Sequence, residues 1–222
     1  MKNDFANDRE QLIAEIEAEM CTLRDIFGKA KLNTTVVEAI LKVPRHEFVS
    51  GDQQGSAYLN RPLSIGYGQT ISQPFVVAAM TDMLELNPST CVLEVGTGCG
   101  YQTAILAGLA HLVFSVELIP ELAKSADGRL RGLGYNNVHI RGGDGWRGWP
   151  EHAPYDAIIV TAAAPEIPAA LIDQLGRGGR MVIPIGASGM TQTLTLVEKD
   201  AAGIVTEHDG LPVAFVPLIK SD

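Results

Sequence analysis

The 222-residue chain is long enough for one large domain with a full core, and 46% hydrophobic with 19% charged residues is a globular composition, not a disordered one. A formal net charge of −9, with no sizeable Lys/Arg cluster, argues against nucleic acid as a partner, because a phosphate backbone is bound by neutralising cations. The longest apolar runs, such as DAIIVTAAAP, fall far short of the ~20 residues of a membrane-spanning helix.

Ile13, Ile16, Met20, Leu23 and Phe27 recur at spacings of three and four, which predicts an amphipathic N-terminal helix. Glu10, Glu15, Glu17 and Glu19 fall mostly off that stripe, on a solvated face. The helix is expected to pack on the core of a monomer, with self-association as the alternative use of the stripe. This segment lacks the apolar core and cleavage pattern of a signal peptide. Three cysteines, Cys21, Cys91 and Cys99, form no C-x-x-C pair and no zinc pattern, which fits a reducing cytoplasm. A short second helix spans about Asn33 to Lys42, ahead of Pro44. GYGQTISQP, Gly66 to Pro74, then forms a polar loop before the helical run VVAAMTDMLEL. Ser72 and Pro74 suit a helix start, with the hydroxyl near the N-cap and the proline in the first turn. The same polar loop also suits an active site.

From Thr90 the pattern becomes strand, turn, helix, repeated. CVLEVG is followed by YQTAILAGLA, LVFSVEL by PELAKSADGRLRGLG, VHIRGGDG by a glycine turn, YDAIIVTAAAP by EIPAALIDQLG, and then comes GRMVIPIG. TQTLTLVEKD, AGIVTEHDG and AFVPLI read as β, with too little chain between them for crossover helices. The expected fold is α/β: a doubly wound, Rossmann-like, mostly parallel sheet with antiparallel C-terminal edge strands, preceded by a helical and loop region. One domain is expected over 1–222, with 1–88 as helices and loop and 89–222 as the α/β core.

The turn GTGCG, Gly96 to Gly100, lies where the first strand of that core meets its first helix, a position where ligands collect in open α/β sheets. A dinucleotide fingerprint would need glycine at Tyr101. The spacing present is acidic-x-G-x-G-x-G from Glu94, which resembles motif I of S-adenosylmethionine-dependent methyltransferases. Glu117, ending the second strand, is placed to accept ribose hydroxyls from either nucleotide class. Asp144 is placed to accept the adenine amino group, or else to make an Asx-type turn with Gly145. A catechol or amine acceptor would ask for a metal or a base. No cluster with metal-ligand spacing stands out, and no metal is expected. A carboxylate acceptor, ionised at neutral pH with a pKa of about 4, needs neither.

VPRHEFV (Val43 to Val49), PLSIGYGQTISQP (Pro62 to Pro74), VLEVGTGCGYQTAILA (Val92 to Ala107), GDGWRGWPEHAPYDAIIVTAAAPEIP (Gly143 to Pro168) and FVPL (Phe215 to Leu218) together resemble the protein-L-isoaspartate O-methyltransferase family. The likeness runs from about residue 32 to the C-terminus in the family's order. It implies a protein-repair enzyme that methylates the α-carboxyl of L-isoaspartyl residues in damaged proteins and peptides. The resulting ester closes to a succinimide that returns some normal aspartate. S-Adenosyl-L-methionine is the implied cofactor and S-adenosyl-L-homocysteine its product. The family's active-site serine falls on Ser72. Its cofactor contacts fall on Gln69, Thr70, Ile71 and Ser72, on Glu94, Gly96, Thr97, Gly98 and Gly100, on Glu117 and Leu118, and on Asp144 and Gly145. Substrate contacts fall on Thr70, Ser72 and Val216. Cys99 departs from the serine or other small residue common at its position. The helix through about Lys31 has no recognisable counterpart. A small-molecule or nucleic-acid methyltransferase and a silent cofactor-binding module are the rivals to this reading.

Overall fold

The computed structural model describes residues 5–187 and 189–220. Helix α1 (Ala6–Thr22) buries Leu12, Ile16 and Met20, one residue every four, and packs against α3 (Thr34–Lys42) and α4 (Pro74–Met83). The expected stripe is therefore rotated by one position: Leu12 joins it, while Ile13, Leu23 and Phe27 sit half-buried at its margin. A break at Leu23 separates a single further turn, α2 (Arg24–Phe27), which Gly28 closes at φ 67°.

Hairpin strands β1 (Leu63–Gly66) and β2 (Gln69–Ile71) occupy the segment read from sequence as a polar loop. The turn between them places Gly66, Tyr67 and Gly68 at positive φ, a demand that two glycines meet without strain. Helix α4 follows at once, and its residues from Pro74 to Asp82 are all buried, so it is an interior helix. Its N-cap is Gln73, whose side chain makes no cap bond; instead the Phe75 N–H donates to Asn60 Oδ1 at 3.0 Å. At its other end, buried Asp82 accepts the Asn33 N–H at 2.8 Å and pairs with Lys29.

The core sheet comprises β3 (Cys91–Val95), β4 (Leu112–Glu117), β5 (Val138–Gly142), β6 (Tyr155–Val160), β7 (Leu175–Ile185), β8 (Gln192–Lys199) and β9 (Val205–Val213). Their spatial order is β5-β4-β3-β6-β7-β8-β9. Strands β3 to β7 pair in parallel, whereas β7, β8 and β9 pair antiparallel. Helices α5 (Tyr101–Ala107), α6 (Pro120–Gly132) and α7 (Ala169–Gln174) supply the connections. Val92, Val113, Ile159 and Val182 join the core on the face that carries α1 and α4. Leu93, Phe114, Ile158 and Met181 join the opposite core with Leu171 of α7. Burial on both faces is why these strands read as unbroken apolar runs. The doubly wound sheet with antiparallel edge strands is as expected.

AFVPLI differs from its expected strand. Pro217 removes a ladder donor, and the segment makes a single bridge, Pro217 to Ala163. It is held there by the Ala163 N–H on Val216 O (2.8 Å) and the Leu218 N–H on Ala163 O (2.7 Å).

Candidate active site

The chain leaves β3 for one flank of the sheet and later returns to lay β6 on the other, so the C-terminal ends of β3, β4 and β6 diverge around a crevice. Gly96, Gly98 and Gly100 turn there at φ 96°, 54° and 89°. A Cβ on Gly96 would overlap Thr161 Oγ1, which donates to Gly96 O at 2.7 Å. A Cβ on Gly145 would overlap the Val95 side chain. Close backbone approach thus makes room for a cavity lined by Gly96 to Cys99, Glu117 to Ile119, Gly145, Thr161, the β2 arm Gln69 to Ser72, and Val216 to Ile219.

Glu117, buried at the end of β4, is already anchored. Its Oε2 accepts the Gly98 N–H at 2.8 Å and its Oε1 the Ile119 N–H at 2.9 Å. Each carboxylate oxygen carries two lone pairs, so both keep room for a hydroxyl. This donor set fits a vicinal diol and therefore the ribose of an adenosine ligand.

A second depression abuts the first. Glu19, Pro62, Gln73, Phe75 and Leu211 to Phe215 line it, and it shares Thr70, Ser72, Thr161 and Val216 with the cavity. Ser72 therefore stands on the wall shared by the two depressions. Its backbone carbonyl accepts from Arg45 Nη2 at 2.7 Å. The helix-capping alternative for Ser72 is not what the structure adopts, because Gln73 is the N-cap and Asn60 supplies the bond.

The model of the protein-L-isoaspartate(D-aspartate) O-methyltransferase family matches residues 19–222. The chain belongs to that family. It is 56% identical over 207 residues to a protein-L-isoaspartate O-methyltransferase 2 of Polaromonas sp., covering 93% of this chain and 98% of the relative. With the protein of the same name from Syntrophobacter fumaroxidans it shares 53% identity over 210 residues, 95% of this chain and 85% of the relative. A solved protein-L-isoaspartate O-methyltransferase superposes with a TM-score of 0.81 at 29% identity, over 94% of this chain and 65% of that one.

Not every residue that the family pattern suggests reaches the cavity wall. Glu94 lies wholly buried behind the glycine turn, where its Oε2 accepts from Thr103 Oγ1 (2.5 Å) and Ser115 Oγ (2.6 Å). Burial pushes its carboxyl up to about 8, against the pull of those two hydroxyls, so it is largely protonated at neutral pH. Ser115 Oγ also bonds Thr97 Oγ1 at 2.5 Å, which links Glu94 to the turn without exposing it. Gly100 is likewise set back: at the N-cap of α5 it packs against Leu130 and Ala126 of α6. Asp144 makes the Asx-type turn, its Oδ1 accepting the Trp146 N–H at 2.9 Å, while Gly145 alone of that pair borders the cavity. The other suggested residues, Gln69 to Ser72, Gly96 to Gly98, Glu117, Leu118 and Val216, all line it.

Three contributors had no assigned role in the sequence reading. Thr161, just past the end of β6, clasps Gly96 and borders both depressions. Asn60 caps α4 and also donates to Glu19 Oε2 at 2.9 Å, tying α1 to the groove. Arg45 sits inside VPRHEFV and is wholly buried. Among the described residues no group of three or more acidic, His or Cys side chains could hold a metal, and no helix is long and apolar enough to cross a membrane.

Proposed function

We propose that this protein transfers a methyl group from S-adenosyl-L-methionine to the α-carboxyl of L-isoaspartyl residues in proteins and peptides, starting their return to aspartyl through a succinimide. The observation that carries this reading is the pair of depressions meeting at Ser72: one suits the nucleoside, the other an extended peptide. Membership of the isoaspartyl methyltransferase family supports both halves. We read residues 1–222 as one catalytic unit acting in the cytoplasm, as a monomer.

Glu117 would hold the ribose diol with its remaining lone pairs, and Gly96 to Gly98 would let the backbone lie against the ligand. Gln69 to Ile71 and Leu118 would close the sides, and Gly145 the adenine end. When bound, S-adenosyl-L-methionine supplies an electrophilic methyl on a sulfonium. Everything else asked of the chain is alignment and exclusion of water. At the junction the side chains of Thr70, Ser72 and Thr161 offer hydroxyls, and among the described residues no Lys, His, Asp or Glu borders both depressions. That lining suits an acceptor that has no proton to give up, since an α-carboxylate is ionised at neutral pH. Ser72 and Thr70 would orient it by donating hydrogen bonds, with Val216 flanking the peptide.

The chemical class of the acceptor is tested by the stability of the product. With methyl-labelled cofactor and an isoaspartyl peptide, the label should be released as methanol by mild base. Label that survives base would mean an amine or ether product and would overturn the carboxyl assignment.

A further inference from the structure

Arg45 opens the helical turn Arg45–Phe48, and its side chain is 0% exposed. Nε donates to Ala57 O at 2.8 Å and Nη2 to Ser72 O at 2.7 Å, while Nη1 has no hydrogen-bond partner among the described residues. The guanidinium carbon lies 4.8 Å from the centre of the Tyr101 ring. The titratable groups facing it are Tyr101, Cys99 and Tyr58, none of them a carboxylate, and burial draws its pKa down. An arginine stays cationic even so. Arg180 and Lys29 are matched by carboxylates, and the cations that only tether carbonyls, Arg129 and Lys199, remain partly exposed, so that among the described residues Arg45 is the one wholly buried cation.

A wholly buried cation without an anion is costly, a penalty that the partly exposed tethers Arg129 and Lys199 escape. Its location gives it a use. Tyr101 and Cys99 line the nucleoside cavity, and Ser72 lies on the wall shared with the groove. The guanidinium thus bonds the backbone of Ser72 and stacks on Tyr101, two residues that line the proposed site. On the reading given under Proposed function, the acceptor is the missing anion. We propose that Arg45 is a positioning residue whose buried charge attracts the isoaspartyl α-carboxylate, while its Nη2–H bond fixes the Ser72 backbone. A charge held away from water acts over several ångströms with little screening.

Two peptides separate charge from scaffolding: one with the isoaspartyl α-carboxylate, and the same peptide with that group as an unreactive, neutral carboxamide. For Arg45→Met, the KM of the carboxylate peptide should rise about 10-fold or more, while the inhibition constant of the carboxamide moves by less than about 2-fold. Arg45→Lys should recover part of the loss. Equal weakening of both peptides would assign Arg45 to structure alone and overturn the inference. Unsubstituted protein gives an independent check where the variants fold poorly. Its preference for the carboxylate peptide should persist as salt rises from about 0.05 to about 0.5 M, whereas a preference abolished by salt would place the charge on the surface. If the unsubstituted protein methylates no isoaspartyl peptide, the proposed function itself fails. If it does, and the variants do not discriminate the two peptides, only the role of Arg45 fails.

Discussion

Glu117 accepts the Gly98 backbone N–H at 2.8 Å, so the residue expected to grip the ribose also sets the height of the glycine turn. Its second oxygen holds the Ile119 N–H at the entry to α6. One carboxylate therefore organises two backbone segments of the cavity before any ligand arrives, and pre-organisation of this kind lowers the cost of binding.

Glu117→Gln should break that arrangement, because the amide nitrogen must face either the Gly98 or the Ile119 N–H. Calorimetric titration should show S-adenosyl-L-homocysteine binding 10- to 100-fold more weakly, or ~1.4–2.8 kcal/mol. Unchanged affinity would remove Glu117 from the ribose site.

Ser72→Ala should leave the fold intact, since the α4 cap comes from Asn60 and not from Ser72. Turnover on an isoaspartyl peptide should fall roughly 10- to 1000-fold, the range of ~1.5–4 kcal/mol for a lost hydrogen bond to a charged group at a reacting centre. Cofactor binding should change far less. Full turnover in the variant would leave the hydroxyl without a role.

Glu94 makes stability depend on pH. Its folded-state pKa, about 8, lies above the ordinary value of 4.5, so the folded state binds more protons between those limits. Stability from this group is present in full below about 4.5, falls by up to ~1.4 kcal/mol per pH unit as pH rises, and levels off above about 8. Glu94→Gln stays neutral and should flatten the melting temperature between pH 5 and pH 8, with the variant gaining on the wild type at the alkaline end. A wild-type melting curve insensitive to pH in that range would mean that Glu94 is ionised.

Ile16, on the buried face of α1, should be structural. Ile16→Ala is expected to cost ~2–4 kcal/mol in a denaturant titration, because α1 packs on α3 and α4. If the cost depended on protein concentration, the helix would be a self-association element instead.

The sheet was legible because doubly buried strands and amphipathic helices write different periods into the chain, and GTGCG marks the crevice where they meet. Backbone conformation was harder to read: the Gly66 to Gly68 turn converts a polar stretch into a hairpin only through positive φ, and Pro217 cancels a strand that AFVPLI otherwise resembles. Ser72 was legible as a polar residue of a helix start or an active site, yet the choice between them depended on Asn60, which caps Phe75 from 15 positions away and is invisible to local pattern. Arg45 was missed for the same reason. Its burial is made by Ala57, Ser72 and Tyr101, residues 12 and 27 positions away in two cases, and no local spacing announces it.

The most direct measurement compares kcat/KM for two peptides that differ only in aspartyl versus isoaspartyl linkage, using methyl-labelled S-adenosyl-L-methionine. Base-labile label on the isoaspartyl peptide, with the aspartyl peptide near background, is the expected result. Equal labelling of the two, or no labelling of either, would contradict it.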